Sequence, residues 1–473
     1  MKRSVMTLLA LLAVAAVATG SAGAGPTGIQ VSKVVDVSRD QLSQNETPIA
    51  VNPLNPANMI TGANDWNYND GCAVNATSDG GKTWTKTLPN GFLPGVTKFT
   101  NDPDVPGDGA FDAGGDPTIA FSPRGDVAYY VCQAFNFTSS HQITLLLNRS
   151  YDGGFTWQHT GLVQVSAFNG NGVSKGSNGQ FPDHENIHVD PTNGFVYVTW
   201  AQFDGQGGHS PVQVAVSHDQ GDHWTLTQVT AGSVRNNQDQ RIVTDLHGNA
   251  YLVFDNGVQG GKGTVLYASK STNGGFTWSA PVQFAALTNP VCVFPPDCFD
   301  ITGGQFRAGG TYPAPAFDNA RNRLDVLVPD IRDTYAQIYF YSLNPDDFSV
   351  AAAKALPGGF AGDRFEAELS AAPTGRLDAS FYDRGYSGNR LVDLTYATSA
   401  DGGQTWRQTR VSSASFDPSQ WGVPSSSSST GFRPFIGDYN GIASTDTTAA
   451  MTWTGVADPA PFNLEIDFAT ATP

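Results

Sequence analysis

The sequence predicts an all-β protein, a seven-bladed β-propeller of four-stranded blades closed into one domain by its own two ends. Three observations lead there. An eight-residue pattern ending in Trp occurs five times along the chain. Strand-like runs surround each copy, and the resulting unit can be aligned seven times. The last unit is one strand short, while an unassigned strand-like run stands near the N-terminus.

The pattern first occurs at residues 77–84, with Asp79, Gly81 and Trp84 at its fixed positions. It returns at 150–157, 217–224, 271–278 and 399–406, reading Ser/Thr-x-Asp-x-Gly-x-x-Trp, with Asn273 replacing the Asp once. This is the chemistry of a hairpin turn. A carboxylate can accept hydrogen bonds from turn amides, Gly supplies positive φ, and Trp packs back on the sheet.

The pattern resembles the Asp-box, or BNR repeat, of the sialidase-like β-propellers. The resemblance implies that the boxes join third and fourth strands at the rim of one face and serve as scaffold. It also implies a functional pocket on the opposite face, at the central axis. Sialidases proper have six blades, so a six-bladed ring is the alternative.

Taken in order, the chain begins with Met1-Lys2-Arg3, an apolar run over 8–17 and small residues over 19–25. Residues 1–24 are expected to be a secretory signal peptide, too short in its apolar part for a membrane span. The mature chain, 25–473, is then a single exported domain, extracellular or periplasmic, with no membrane span. With 52 Gly, only 15% charged residues and no long helical periodicity, it has the profile of a turn-rich β protein. A net charge of −17 argues against nucleic acid and anionic membranes as partners. A monomer is expected.

The four Cys fit an oxidising compartment. Cys292 and Cys298 would clip a short loop, leaving Cys72 and Cys132 as a pair between neighbouring repeats. No His lies at metal-ligand spacing from either pair. His184 and His188 lie on a strand, about 14 Å apart, and do not make a metal pair.

The first strands align at 46–53, 116–123, 184–191, 239–246, 312–320, 366–373 and 438–445, each followed by a second apolar run. The fifth unit lacks its box, since 338–344 runs into Pro345-Asp346-Asp347. The missing outer strand of the seventh unit is supplied by residues 29–37, which removes two exposed sheet edges. Two segments fall outside the pattern. The 102–112 loop, with Asp102, Asp104, Asp108 and Asp112, could hold calcium, but its spacing is not that of an EF-hand and a solvated loop accounts for it. No other cofactor is expected. Residues 425–429 are a low-complexity Ser run.

The alignment brings one position per blade to the axis: Glu46, Asp116, His184, Asp239, Tyr312, Glu366 and Asp438. Exits from the second strands add Asp65, Asp204, Asp255, Asp330 and Asp383, and the same zones carry Arg241, Arg307, Arg332, Arg364, Arg384 and Arg433. Such a set suits acid–base work on a ligand, or a structural ion-pair network. Two groupings are richest, Arg433 with Asp438 and Tyr439, and Arg364 and Glu366 with Tyr382, Asp383 and Arg384.

By resemblance to sialidases, Tyr439 or Tyr382 would be nucleophile, Glu366 its base and Asp116 the acid, with Asp438 beside them. Arg241, Arg364 and Arg433 would clamp a substrate carboxylate, with Glu46, Asp239, Asp383 and Arg384 as further binding residues. One departure stands against sialic acid. Sialidases carry Arg-Ile-Pro near the start of the first blade, where this chain has Glu46-Thr47-Pro48. The expectation from the resemblance is nonetheless a secreted, sialidase-like glycoside hydrolase, exo-sialidase-like by preference, acting at the axial pocket on a glycan or glycoconjugate. The alternatives are a non-catalytic propeller that binds glycans or proteins, and a hydrolase or lyase of other polysaccharides.

Overall fold

The computed structural model describes residues 28–39, 42–66, 71–87, 113–135, 142–158, 163–164, 174–175, 180–204, 209–257, 265–289, 306–307, 309–358, 361–420, 422–424, 432–456 and 463–473. The expected signal peptide, the 102–112 loop, Cys292 with Cys298, and the 425–429 Ser run lie outside the described residues.

Seven antiparallel sheets stand around one axis, and the count is seven rather than six. The first strands of neighbouring blades contact one another around the ring: Ile49–Val51, Ala113–Phe121, Gln180–Val189, Asn237–Thr244, Ala314–Asp318, Arg364–Ala371 and Gly441–Ser444. They are therefore the innermost strands. Among the described residues the only helical pieces are short 3-10 turns such as Gly385–Ser387 and Pro418–Gln420.

Period-two alternation explains the packing. Along Ala128–Phe135, Tyr129 and Val131 face blade 3, whereas Tyr130 and Cys132 face blade 1. Both faces of a blade are buried, so its strands read as nearly continuous apolar runs. The consequence is seven apolar clusters, one at each blade–blade interface. A disulfide, Cys72–Cys132, ties blades 1 and 2, with a Cα–Cα distance of 6.6 Å.

The ring closes through its ends. Gln30–Val31 and Val35–Asp36 pair antiparallel with Glu465–Thr472 of blade 7. The single run expected over 29–37 is two pieces, because Val31 faces Ala471 while Val35 faces Phe468, four residues opposite three. Ser32 bridges the slip, its Oγ accepting from the Thr470 amide at 2.9 Å. Removing residues 28–37 strips this strand and takes away Val37, only 4% exposed in the ring. Loss of that one side chain's burial costs about 1.5–3 kcal/mol. Urea unfolding of the truncated protein is expected to show a lower midpoint by at least that amount.

Each octapeptide links the third and fourth strands of its blade. In the first, Asp79 Oδ1 accepts from the amides of Lys82 and Thr83 at 2.9 and 3.0 Å, and Thr83 Oγ1 donates to Asp79 Oδ2 at 2.6 Å. The Trp84 indole donates to Gly81 O at 3.2 Å, and the same Trp–Gly bond recurs in all five copies. The seventh residue is thus a working part of the turn. In the fourth copy Asn273 keeps it by donating to Thr277 Oγ1 at 2.8 Å.

The glycine at the fifth position of each turn also abuts the preceding blade. Gly154 lies at φ 95°, where an added Cβ would overlap Ile60 Cγ2 of blade 1. Blade 5, which lacks the pattern, uses Phe348 instead. Its ring sits edge-on to Tyr251 of blade 4 at 6.4 Å, within the interface cluster.

Candidate active site

The hub is built by backbone strain. Glu46, Asp116, His184, Asp239 and Glu366 all have positive φ, between 47° and 60°. The left-handed region costs a residue with a Cβ roughly 1–2 kcal/mol. Four of them sit where the innermost strand slips register against its neighbour, at 115–118, 183–186, 238–241 and 365–368. In blade 1 the innermost strand breaks after Gln44–Asn45, and Glu46 stands in the break. In blade 7 a glycine, Gly437 at φ 101°, turns the chain just before Asp438. A bulge re-aims a side chain, and here it turns one residue per blade toward the axis. Non-glycine strain at equivalent positions in five blades is maintained by the ring as a whole, and such strain concentrates at functional sites.

The re-aimed groups are tied together across blades. Asn64 Nδ2 donates to Glu46 Oε2 at 2.7 Å, and Asn64 Oδ1 accepts from the Asp116 amide at 2.6 Å. Glu366 accepts from the Gly309 amide at 2.7 Å and from Asn440 Nδ2 at 3.2 Å. His184 lies at the centre. Its Nδ1 is 2.8 Å from Asp239 Oδ1, its Nε2 is 3.7 Å from Asp438 Oδ2, and its ring meets Tyr312 edge-on at 4.9 Å. Arg307 donates to Asp438 Oδ2 and lies 4.0 Å over the Phe435 ring.

His184 and Tyr312 separate two cavities. The larger, about 470 Å³, is lined by Glu46, Asp116, Asp183, His184, Arg307 and Asp438, with Trp66, Phe135, Phe181 and Phe435 as aromatic wall. The smaller, about 130 Å³, runs inside the channel between Glu185, Asp239, Arg241, Glu368 and Tyr439. Among the described residues no group of three or more His, Cys, Asp or Glu is arranged to hold a metal ion.

Burial and charge split the protonation states of this cluster. Burial, reinforced by the Asp116 and Asp438 charges, pushes Glu46 well above the usual carboxylate range. Burial likewise raises Asp183 to about 7, against the downward pull of His184. Burial alone is the main cause for Glu366, also raised well above its ordinary value. Asp438 is different. Burial acts on it too, but the Arg307 charge and the His184 hydrogen bond outweigh burial and hold its carboxyl below the ordinary value. Burial disfavours the His184 cation, yet the Asp183 and Asp239 charges overcome this and raise its pKa well above normal. The large cavity therefore combines Asp438, biased toward its ionised form, His184, biased toward its cation, Glu46, biased toward its protonated form, and Asp183, raised to about 7.

The sequence-derived candidates divide accordingly. Glu46, Asp116, Asp438 and Arg433 line the larger cavity. Asp239, Arg241 and Tyr439 line the smaller, where Arg241 is held by both Glu368 oxygens and Tyr439 donates to Pro117 O at 2.9 Å. Tyr382 is fully buried, donating to Thr454 O at 2.6 Å. Arg364 pairs with Asp383 at 2.8 Å, and Arg384 donates to Arg390 O at 3.3 Å. Glu366, Tyr382, Arg364, Asp383 and Arg384 line neither cavity.

The reason is a segment that crosses their blade. Phe306 packs 6.3 Å from Phe365, Arg307 bridges to Phe435, and Gly309 binds Glu366, so the start of blade 5 lies over blade 6. The open cavity is displaced toward blades 7, 1, 2 and 3. Asp183 and the aromatic wall escaped the sequence reading. The alternation Phe181-x-Asp183, just ahead of the bulge at His184, is the signal that would have found two of them.

Fold and hub define a seven-bladed β-propeller with a carboxylate-lined axial cavity. No family model matches the chain, and no curated protein matches it. Among solved structures, a leech intramolecular trans-sialidase superposes with a TM-score of 0.50 at 13% identity, over 78% of this chain and 70% of its own. A Hadza microbial sialidase gives a TM-score of 0.48 at 14% identity, over 88% and 73%. An α-L-arabinofuranosidase from Fusarium graminearum gives 0.46 at 12% identity, over 75% and 91%. At these identities the likeness is one of fold.

Proposed function

We propose that this protein is an exported glycoside hydrolase that acts at the larger axial cavity on a neutral glycan. The observation that carries the reading is the split ionisation within one cavity, Asp438 below its ordinary value and Asp183 raised to about 7. Glycoside hydrolysis uses such a pair: a protonated carboxyl to donate to the leaving oxygen, and an ionised one opposite. Asp183 gives its proton to the glycosidic oxygen as the C–O bond breaks. Asp438 faces the positive charge that develops at the anomeric carbon, and water completes the hydrolysis. Protonated Glu46 serves as a hydrogen-bond donor to a sugar hydroxyl.

The choice of a neutral sugar rests on the guanidinium groups. A carboxylate clamp needs converging arginines, but Arg241 is engaged by Glu368, Arg364 by Asp383 and Arg307 by Asp438, so of the expected clamp Arg433 alone faces the larger cavity. The composition of residues 1–24, charged and then apolar, and the buried Cys72–Cys132 disulfide support export. The test is release of 4-methylumbelliferone from a panel of neutral glycosides with a sialoside included. Turnover of a neutral member is expected. Turnover of the sialoside alone would overturn the neutral assignment, and no turnover at all would favour a propeller that only binds glycans.

A further inference from the structure

The larger cavity has two kinds of lining, carboxyl and aromatic. Besides its carboxyl groups it is lined by Trp66, Phe135 and Phe181, which come from the ends of strands in blades 1, 2 and 3 and are half-buried. Phe181 is backed by Phe203, ring against ring at 4.6 Å and 9°, so its free face is fixed in orientation. The Trp66 indole nitrogen is buried without a hydrogen-bond partner. A buried indole N–H ordinarily finds an acceptor, and here the cavity is what lies beside it.

We infer that this aromatic lining is a binding subsite for a further sugar unit, so that the ligand is a neutral oligosaccharide chain rather than a single glycosyl group. Sugar rings are amphipathic. Their C–H faces stack on aromatic rings, and their hydroxyls meet polar groups at the ring edge. Phe181 and Phe135 supply the stacking surfaces, and Trp66 Nε1 donates to a hydroxyl. Recognition of an anionic chain would need converging guanidinium groups, and of the two arginines that line the cavity Arg307 is held by Asp438, which leaves Arg433 to act singly. A cavity of about 470 Å³ falls in the range of small-molecule sites, about 300–1,000 Å³.

The inference rests on the hydrolase reading for its substrate class, and its test reads binding separately from cleavage. The protein is titrated calorimetrically with cello-, xylo- and arabino-oligosaccharides of increasing length and with sialyllactose. The recovered sugars are then analysed for cleavage. One neutral series is expected to bind, with affinity rising from the disaccharide to longer members. Phe181→Ala and Trp66→Ala are expected to weaken that binding by about tenfold, while Trp66→Phe, which keeps a stacking ring, retains more of it. Unchanged unfolding midpoints in Phe181→Ala and Trp66→Phe keep the comparison valid if Trp66→Ala folds poorly. Binding of sialyllactose alone, no binding by any neutral series, or equal affinity in Phe181→Ala and wild type would overturn the subsite. Length-dependent binding without cleavage would uphold the subsite and remove the hydrolase reading. Cleavage unaffected by both aromatic substitutions would do the reverse.

Discussion

Asp438→Asn is expected to lower kcat on a responsive glycoside by about 10²–10⁴-fold with little change in KM. Asp438 is the hub carboxyl held below its ordinary value in the larger cavity, against neighbours that burial pushes upward. Its charge is set by Arg307 and by the imidazolium of His184, both in direct contact. Asparagine keeps the shape and an acceptor oxygen but removes the negative charge needed as positive charge builds at the anomeric carbon. Loss at kcat with KM held marks a contact made in the transition state rather than in binding. A rise in KM with kcat unchanged would make Asp438 a binding residue and contradict the assignment.

Gly154→Ala is expected to destabilise the propeller by roughly 2–5 kcal/mol, read as a lowered urea midpoint. Two costs fall on one methyl group. The backbone at φ 95° resists any Cβ, and the added carbon would collide with Ile60 Cγ2, whose side chain is fully buried. Ile60 belongs to the cluster between blades 1 and 2, so the collision is transmitted to an interface rather than to a surface turn. Gly153→Ala, beside it, shares the positive φ but meets the Asn58 amide instead of an apolar core atom. It should cost less. Equal effects at the two glycines would show that the turn, not the interface, sets the penalty.

The architecture was legible because it repeats. Five turns with Asp, Gly and Trp at fixed spacing located the hairpins, and aligning Glu46 with Asp116, His184, Asp239, Tyr312, Glu366 and Asp438 found one axial position per blade. The strand that closes the ring was found the same way, by noticing what the last unit lacked. The shape of the site was far less legible. Left-handed backbone at five axial residues leaves no mark in side-chain identity, since Glu, Asp and His occupy positions where glycine would be expected. The crossing of Phe306, Arg307 and Gly309 over blade 6 has no periodicity to betray it. It separates Tyr382, Arg364, Asp383 and Arg384, attractive as a motif, from the cavity. Asp183 was passed over for the opposite reason: it carries no motif and gains its importance from burial beside His184.

The measurement that bears most directly on the account is the pH dependence of kcat/KM on a neutral glycoside, for wild type and Asp183→Asn. The proton donor must be protonated and Asp438 ionised. Activity should therefore rise with pH through the lowered Asp438 carboxyl and fall as Asp183 ionises near pH 7. Asp183→Asn should be slow and should lose the alkaline limb. A wild-type profile that stays level from pH 6 to 9, or an Asp183→Asn protein that keeps the wild-type profile, would contradict the split-carboxylate site.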